Sequence, residues 1–327
     1  MSEALLACEG CGAEDAPDVR LAVPPWTLAA CRACGLVATL PRVDNAAAAA
    51  FHDAAFFGPG GGRRFAGPVE ALIGLARGAR ARRVAALLPA RGRLLDVGCG
   101  RGLMLARLAA LGHEAWGTEV SPLAGAVQDP PAGVQVFLGA LADLALPAAH
   151  FDAVTFFHSL EHVPDLARTL DAAARLLRPG GALVVAAPNL DSLQARLGGA
   201  AWLHLELPQH RHHFTPETLA RALAPRGLAP VSVDLRSLEF DPIAVLQTAL
   251  NRAGRPHNAF LDALRRVRRA PLDLLLGAAL APAALAAALA EQTLTGAGGT
   301  FELVARAPAP AHAQGQAGGG GSGGGPG

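Results

Sequence analysis

Leu94-Leu95-Asp96-Val97-Gly98-Cys99-Gly100-Arg101-Gly102 decides how the rest of the chain is read. A short apolar run enters three glycines at alternate positions, and an apolar helical run, Leu103–Leu111, follows at once. Glycine lets the backbone turn sharply there and lets a ligand approach the main chain. The dinucleotide fingerprint G-x-G-x-x-G is not met, because Leu103 holds its last small-residue position. Asp96, just before the loop, suits an amino group or a cation better than a pyrophosphate. Glu119 follows 21 residues after Gly98, at the end of the next strand candidate. A carboxylate so placed can accept both hydroxyls of a ribose.

Outward from this loop, β-like runs alternate with helical ones. Strands are expected at Ala115–Thr118, Val134–Phe137, Ala153–Phe157, Leu183–Ala187, Val231–Leu235 and Phe301–Ala305. Leu166–Leu177 has helical spacing, and Arg178-Pro179-Gly180-Gly181 is expected to end that helix. Pro216–Leu223 reads as a helix capped by Thr215, with Glu217 in its first turn. The alternation predicts an α/β doubly wound sheet with its sites at the carboxyl ends of the strands. The expected division is a Cys-rich module at 1–40, a helical linker or cap at 41–88, the α/β domain at 89–306 with an apolar insertion at 237–296, and a flexible Gly-rich tail at 307–327.

Several motifs in order then resemble one family. Asp96–Gly102 and Gly117-Thr118-Glu119-Val120-Ser121-Pro122 are similar to the first two motifs of class I S-adenosylmethionine-dependent methyltransferases. Gly139-Ala140-Leu141 through Phe151-Asp152, Ser159-Leu160-Glu161-His162-Val163 and Leu177-Arg178-Pro179-Gly180-Gly181 continue the resemblance over roughly residues 90–236. It implies a Rossmann-like seven-stranded sheet whose last strand, Phe301–Ala305, is antiparallel. It also implies cofactor roles. Gly98 and Gly100 would line the methionine part of the cofactor, with Asp96 near its amino group. Glu119 would take the ribose hydroxyls, Leu141 the adenine, and His158 would lie beside the sulfonium. Many relatives carry Asp where this chain has Ala140, so adenine would rest on backbone and apolar groups. The resemblance is closest to the branch of quinone-pathway, natural-product and sugar methyltransferases, which often carries a His-rich stretch before a late helix. Here that stretch is Leu207-Pro208-Gln209-His210-Arg211-His212-His213-Phe214.

Methyl transfer from a sulfonium is an in-line displacement in which the protein supplies mainly position and orientation. A hydroxyl or carbon-acid acceptor must also lose a proton, and a His of pKa near 6.5 can take it near neutral pH. His210, His213, His162 and Glu161 are the candidates for that role. A metal held by the clustered histidines is disfavoured, since no carboxylate or Cys completes an obvious set in the sequence. The Asn/Asp-Pro-Pro-aromatic motif of nucleic-acid amino methyltransferases is replaced by Phe157-His158-Ser159-Leu160. Amino methylation of a base is disfavoured accordingly.

Cys8-x-x-Cys11 and Cys31-x-x-Cys34, with 19 residues between the pairs, match a structural zinc site of two knuckles. Gly12 and Gly35 follow each second Cys, where the turn needs a residue tolerant of positive φ. A closed four-thiolate set leaves no position for catalysis, so the expected role of zinc is folding.

Charged residues make up 17% of the chain and the net charge is +1, which argues against a polyanion binder held by bulk charge. Hydrophobic residues at 51% and a mean hydropathy of +0.30 exclude a wholly disordered chain. No basic segment followed by an apolar core opens the sequence, and five Cys without such a signal suggest a reducing compartment, where paired thiols favour metal or redox chemistry over structural disulfides, so a cytoplasmic location is expected. The window Pro271–Ala290 is apolar but Ala-rich, with Pro282 near its middle, and is a weak transmembrane candidate. Arg265, Arg266, Arg268 and Arg269 precede it. A helical hairpin that covers the cleft or forms a homodimer face is the first expectation for the insertion. Peripheral contact at the inner membrane face through residues 260–290 is the alternative. The expected activity is methyl transfer to oxygen or carbon of a small-molecule, sugar or lipid-linked acceptor. The alternative is an RNA methyltransferase guided by the zinc module.

Overall fold

The computed structural model describes residues 7–43, 67–237, 239–265 and 268–309. The expected tail from 310 onward, residues 44–66 of the expected linker, and Arg266 lie outside the described residues.

Seven strands make the main sheet: β4 (Arg93–Val97), β5 (Glu114–Glu119), β6 (Val134–Leu138), β7 (Phe151–Phe157), β8 (Leu177–Pro188), β10 (Ala229–Asp234) and β11 (Thr300–Arg306). Their order is β10-β11-β8-β7-β4-β5-β6, and only β11 runs antiparallel to its neighbours. The central strands read as continuous apolar runs because helices cover both faces. The period of two divides β4 between two cores: Leu94 packs with Val84, Leu105 and Leu108, and Leu95 packs with Val154, Leu170 and Leu219. The first layer is α1 (Gly67–Ala85) and α2 (Leu103–Ala110), and the second includes α4 (Leu166–Leu176) and α6 (Pro216–Leu223); a short α3 (Gly125–Gln128) precedes β6. Asp165 caps α4 by accepting from Arg168 N at 3.0 Å, and Thr215 and Thr218 form a reciprocal capping box on α6. One local expectation is corrected. Helix α4 ends at Leu176 because Leu177 is already extended, at φ −69° and ψ 135°, and opens β8. Gly180, at φ 76°, therefore serves a turn within the entry to that strand and not the helix cap.

A second sheet, order β1-β2-β3-β9, is formed by β1 (Asp18–Val23), β2 (Trp26–Ala30), β3 (Val37–Leu40) and β9 (His212–His213). The first three strands come from the Cys-rich segment, and the last comes from the His-rich stretch between β8 and α6. The sequence did not announce this joint. Val37 pairs with His213 and Ala38 with His212. Between β8 and β9 lies a short helix, α5 (Leu193–Gly198). The insertion between β10 and β11 folds as α7 (Asp241–Arg252), α8 (Ala259–Leu264) and α9 (Pro271–Thr295). Helix α9 continues through Pro282 and is seated on α7 and α8, where Gly277 leaves room for the Phe260 ring; a Cβ there would collide with it.

Candidate active site

The carboxyl ends of β4, β5, β6 and β7 bring together the loops that the glycine motif singled out. Gly98 N and Cys99 N both donate to Thr118 O, at 2.8 and 3.1 Å, so the loop is laced to the end of β5. Gly98 has φ 75°, and a Cβ on it would stand 2.6 Å from Ser159 Cβ; glycine is required for both reasons. Ser159 in turn donates to Val97 O at 2.6 Å, tying the end of β7 to the end of β4.

Glu119 is 4% exposed. Its carboxylate accepts from Gly100 N at 2.9 Å on one oxygen and from Val120 N and Ser121 N, at 2.8 and 3.1 Å, on the other. A ribose diol reaching this carboxylate would exchange with the Gly100 bond. Asp96 is buried at the end of β4 and accepts from Thr155 Oγ1 at 2.7 Å; burial pushes its carboxyl up to about 7, against the pull of that bond and of Arg80. Thr155 is a partner that sequence reading missed, since β7 faces it only through the sheet register. Leu141, itself buried, opens a 3-10 turn after β6.

His158 leaves β7 with φ 54°, a strained conformation for a non-glycine residue. Its ring lies 4.3 Å from that of Phe240, at the start of α7, and its Nδ1 is 3.4 Å from Glu161 Oε1. Glu161 is 1% exposed, and among the described residues neither of its oxygens has a well-formed hydrogen bond. Burial alone would raise its pKa, but His158, His162 and His210 outweigh that and hold it down to about 2. His162 and His210 stack edge to face at 4.7 Å. Each sets its Nδ1 against a main-chain carbonyl: Gln209 O at 3.1 Å for His162 and His204 O at 2.8 Å for His210. Donation there leaves Nε2 as the basic nitrogen of each ring. His210 Nε2 lies 3.4 Å from Glu206 Oε2. Burial opposes a charge on His210, yet the Glu206 hydrogen bond and the charges of Glu206 and Glu161 win, and its pKa is raised. Glu206, at φ 37°, carried no sequence signal beyond its place four residues before His210.

The sequence grouped His210 with His213, and the fold turns them to different neighbours. Thr39 Oγ1, on β3, donates its one proton to His210 O at 2.7 Å, so His213 Nε2 must donate to Thr39 Oγ1 at 2.9 Å. Burial holds His213 well below the usual histidine range, with His210 and His212 adding to the effect. His212 is likewise kept neutral by burial, down to about 3, so its 2.7 Å contact with Glu9 is a hydrogen bond and not a pairing of full charges. The expectation that no carboxylate completes a metal set with the histidines is corrected: Glu161, His162 and His210 bring one ligand atom each within 4.8 Å of one another, a convergence made by the fold across 49 residues of sequence. At the other end of the small sheet, Cys8 Sγ and Cys34 Sγ are 3.6 Å apart and Cys11 Sγ and Cys31 Sγ 3.7 Å, with all four within 4.8 Å. Gly12 and Gly35 take φ 77° and 79°, as the two knuckles need.

Residues 72–233, which hold the glycine loop, Glu119 and the Glu161 cluster, match the methyltransferase domain family. A ubiquinone biosynthesis O-methyltransferase of Cereibacter sphaeroides is 33% identical over 175 residues, covering 50% of this chain and 70% of that protein. The chain belongs to the class I S-adenosylmethionine-dependent methyltransferases. The protein of the same description from Xanthomonas axonopodis pv. citri is 37% identical over 156 residues, and there this methyltransferase covers 65% of the relative's length and 44% of its own. A putative sarcosine dimethylglycine methyltransferase from Galdieria sulphuraria has the same fold, with a TM-score of 0.50 at 12% identity over 80% of this chain and 98% of that one. S-adenosylmethionine is accordingly this methyltransferase's co-substrate.

Proposed function

We propose that this enzyme methylates a hydroxyl oxygen of a small-molecule acceptor, with His210 taking the hydroxyl proton. The observation that carries the reading is the buried carboxylate of Glu161, poorly satisfied and surrounded by His158, His162 and His210 beside the glycine loop. A buried polar group in that condition marks a place where a ligand completes the bonding. The relatives' description as O-methyltransferases supports oxygen as the atom methylated. S-adenosylmethionine supplies the electrophilic methyl group when bound. Gly98 and Gly100 admit its methionine part to the main chain, Asp96 faces its amino group, Glu119 accepts its ribose hydroxyls and Leu141 borders its adenine. His158 marks the sulfonium end. Glu206 and Glu161 keep His210 oriented and stabilise the proton it accepts. His213 braces the His-rich stretch against Thr39.

One second reading has its own observation. Both His162 and His210 have their Nδ1 atoms on carbonyls, the arrangement that orients imidazole toward a metal. Glu161, His162 and His210 could then hold a divalent cation that binds the acceptor oxygen and eases loss of its proton. The four cysteines fit structural zinc: at Zn–S distances of about 2.3 Å a tetrahedral site separates sulfurs by roughly 3.8 Å, close to the spacings found. In that role they would hold β1–β3 in place and, through β9, the stretch bearing His210.

The test is product formation. Wild type and His210→Gln are incubated with S-adenosylmethionine and panels of phenols, sugars and lipid-linked alcohols, and methylated acceptor is identified by mass spectrometry. O-methylation that falls about 10²–10⁴-fold in the variant, with cofactor affinity unchanged, is expected. Methylation of carbon or nitrogen only, or a variant as active as wild type, would overturn the assignment. Titration with manganese separates the two readings, since only the second predicts binding that Glu161→Gln abolishes.

A further inference from the structure

The helix that departs most from the rules of a soluble surface is α9. It is 25 residues long, with a mean hydropathy of 2.0 over its most apolar window, of which only 22% is buried. From Leu274 to Ala290 every residue is Leu, Ala, Gly or Pro. Its buried positions, Asp273, Gly277, Ala284, Ala288 and Glu291, form one narrow seam along the helix. The rest faces outward, with Leu272, Leu275, Leu280, Leu285, Leu289 and Leu294 between 41% and 83% exposed. At about 100° per residue those leucines are spread round the remaining circumference. A helix apolar all round is normally enclosed on every side, and this one is enclosed on one.

Three observations choose among the things that could cover it. First, the seam is fastened near both ends. Asp273 accepts from Arg255 Nε and an Nη at 2.9 and 3.0 Å, and Glu291 accepts from Gln194 N and Nε2 at 3.0 and 2.9 Å. The helix therefore lies along the protein and does not cross a bilayer, although its length would allow it. Second, the outward apolar surface is convex and wraps the helix. A second copy would cover a strip of it, whereas a fluid acyl layer conforms to all of it. Leu193 and Leu197 of the adjoining α5, 40% and 64% exposed, extend the same apolar character. Third, Arg268 and Arg269 immediately precede α9 and are exposed, which places positive charge where an apolar helix enters an anionic headgroup region.

We propose that α9 is a monotopic membrane-docking helix, seated in the interfacial region of an anionic phospholipid bilayer with the protein body taking the place of the usual polar face. The contact is independent of the reaction assigned above, and its test does not use methyl transfer. Full-length protein is floated with vesicles of phosphatidylcholine alone and of phosphatidylcholine with phosphatidylglycerol. Flotation with the anionic vesicles is expected. It should fall roughly tenfold or more when Arg268 and Arg269 are both replaced by Gln, and vanish in Leu275→Glu/Leu285→Glu/Leu289→Glu with melting temperature and S-adenosylmethionine affinity retained. The single variant Leu280→Trp gives a second measurement should the triple variant fail to fold: the fluorescence it adds to that of wild type is to be quenched by lipids brominated in the acyl chain. A monomer that remains at the bottom of the gradient overturns the proposal. So does a triple variant that floats like wild type, added fluorescence in Leu280→Trp that brominated lipid leaves unquenched, or a wild-type dimer that the glutamates convert to monomer without any lipid binding.

Discussion

Replacing Glu119 tests the cofactor site most directly. The carboxylate is 4% exposed and accepts three main-chain N–H bonds, from Gly100, Val120 and Ser121. If it also receives two ribose hydroxyls, each charge-assisted bond contributes about 1.5–3 kcal/mol. Giving up the Gly100 bond on binding returns about 1 kcal/mol of that. The net for Glu119→Ala is then about 2–5 kcal/mol, or roughly 30-fold to a few thousand-fold in Kd. Glu119→Gln keeps one accepting oxygen but turns an amide N–H₂ toward main-chain donors, and a loss of about tenfold is expected. Isothermal titration of S-adenosylmethionine and S-adenosylhomocysteine measures both. A 2′-deoxyribose analogue closes a thermodynamic cycle: removing the hydroxyl should weaken binding to wild type and leave binding to Glu119→Ala nearly unchanged. Untying three N–H groups also lowers stability, so melting curves accompany each titration. A Glu119→Ala protein that melts like wild type and binds the cofactor within about threefold of it would refute the ribose assignment.

The remaining predictions concern other parts of the molecule. Gly98→Ala must fit a Cβ 2.6 Å from Ser159 Cβ at φ 75°, whereas Gly100→Ala, at φ 56°, meets nothing within 4 Å; thermal melts should show the first costing roughly 2–4 kcal/mol and the second about 1–2. Glu206→Gln removes the carboxylate that holds a proton on His210. His162, His204, His213 and Glu161 still face that ring, but the base loses its proton at lower pH, so the acidic limb of the kcat/KM profile for acceptor methylation should move downward; an upward move would contradict His210 as the base. Purified protein should carry one zinc per chain. Its removal by a chelator should raise hydrogen exchange at Thr39 and His213, where β3 meets β9, and exchange there that ignores the metal would separate the Cys cluster from the active-site loop.

Some of this was written plainly in the chain. All seven main-sheet strands overlap the runs expected for them; the central ones are buried on both faces and so read as short apolar runs bounded by Gly, Pro or helical periodicity, whereas the edge strands β6 and β10 are little buried and follow from the alternation with helices. Asp96, the glycines and Glu119 are near one another in sequence and sit on adjacent parallel strands, so spacing alone predicts their meeting. The zinc-type spacing of the cysteines is local for the same reason, and the four sulfurs converge. What escaped the reading depends on contacts between distant segments. Nothing in the Cys-rich segment says that β3 extends through His212 and His213, since strand pairing is an edge-to-edge hydrogen-bond match with no sequence code of its own. Glu206, Thr39 and Glu9 are ordinary polar residues until the fold buries them.

The sequence by itself determined the α/β sheet, its glycine loop and the acidic residue beyond it, because each rests on periodicity or on neighbours a few tens of residues apart, and its ordered motifs carried the resemblance to the methyltransferase family. Tertiary structure alone decided which histidine joins Glu161 and which braces β3. It also decided that the apolar helix of the insertion keeps most of its surface uncovered. Burial, and with it the charge state of a histidine or the exposure of a leucine, is set by what packs against a residue, and that partner lies elsewhere in the chain.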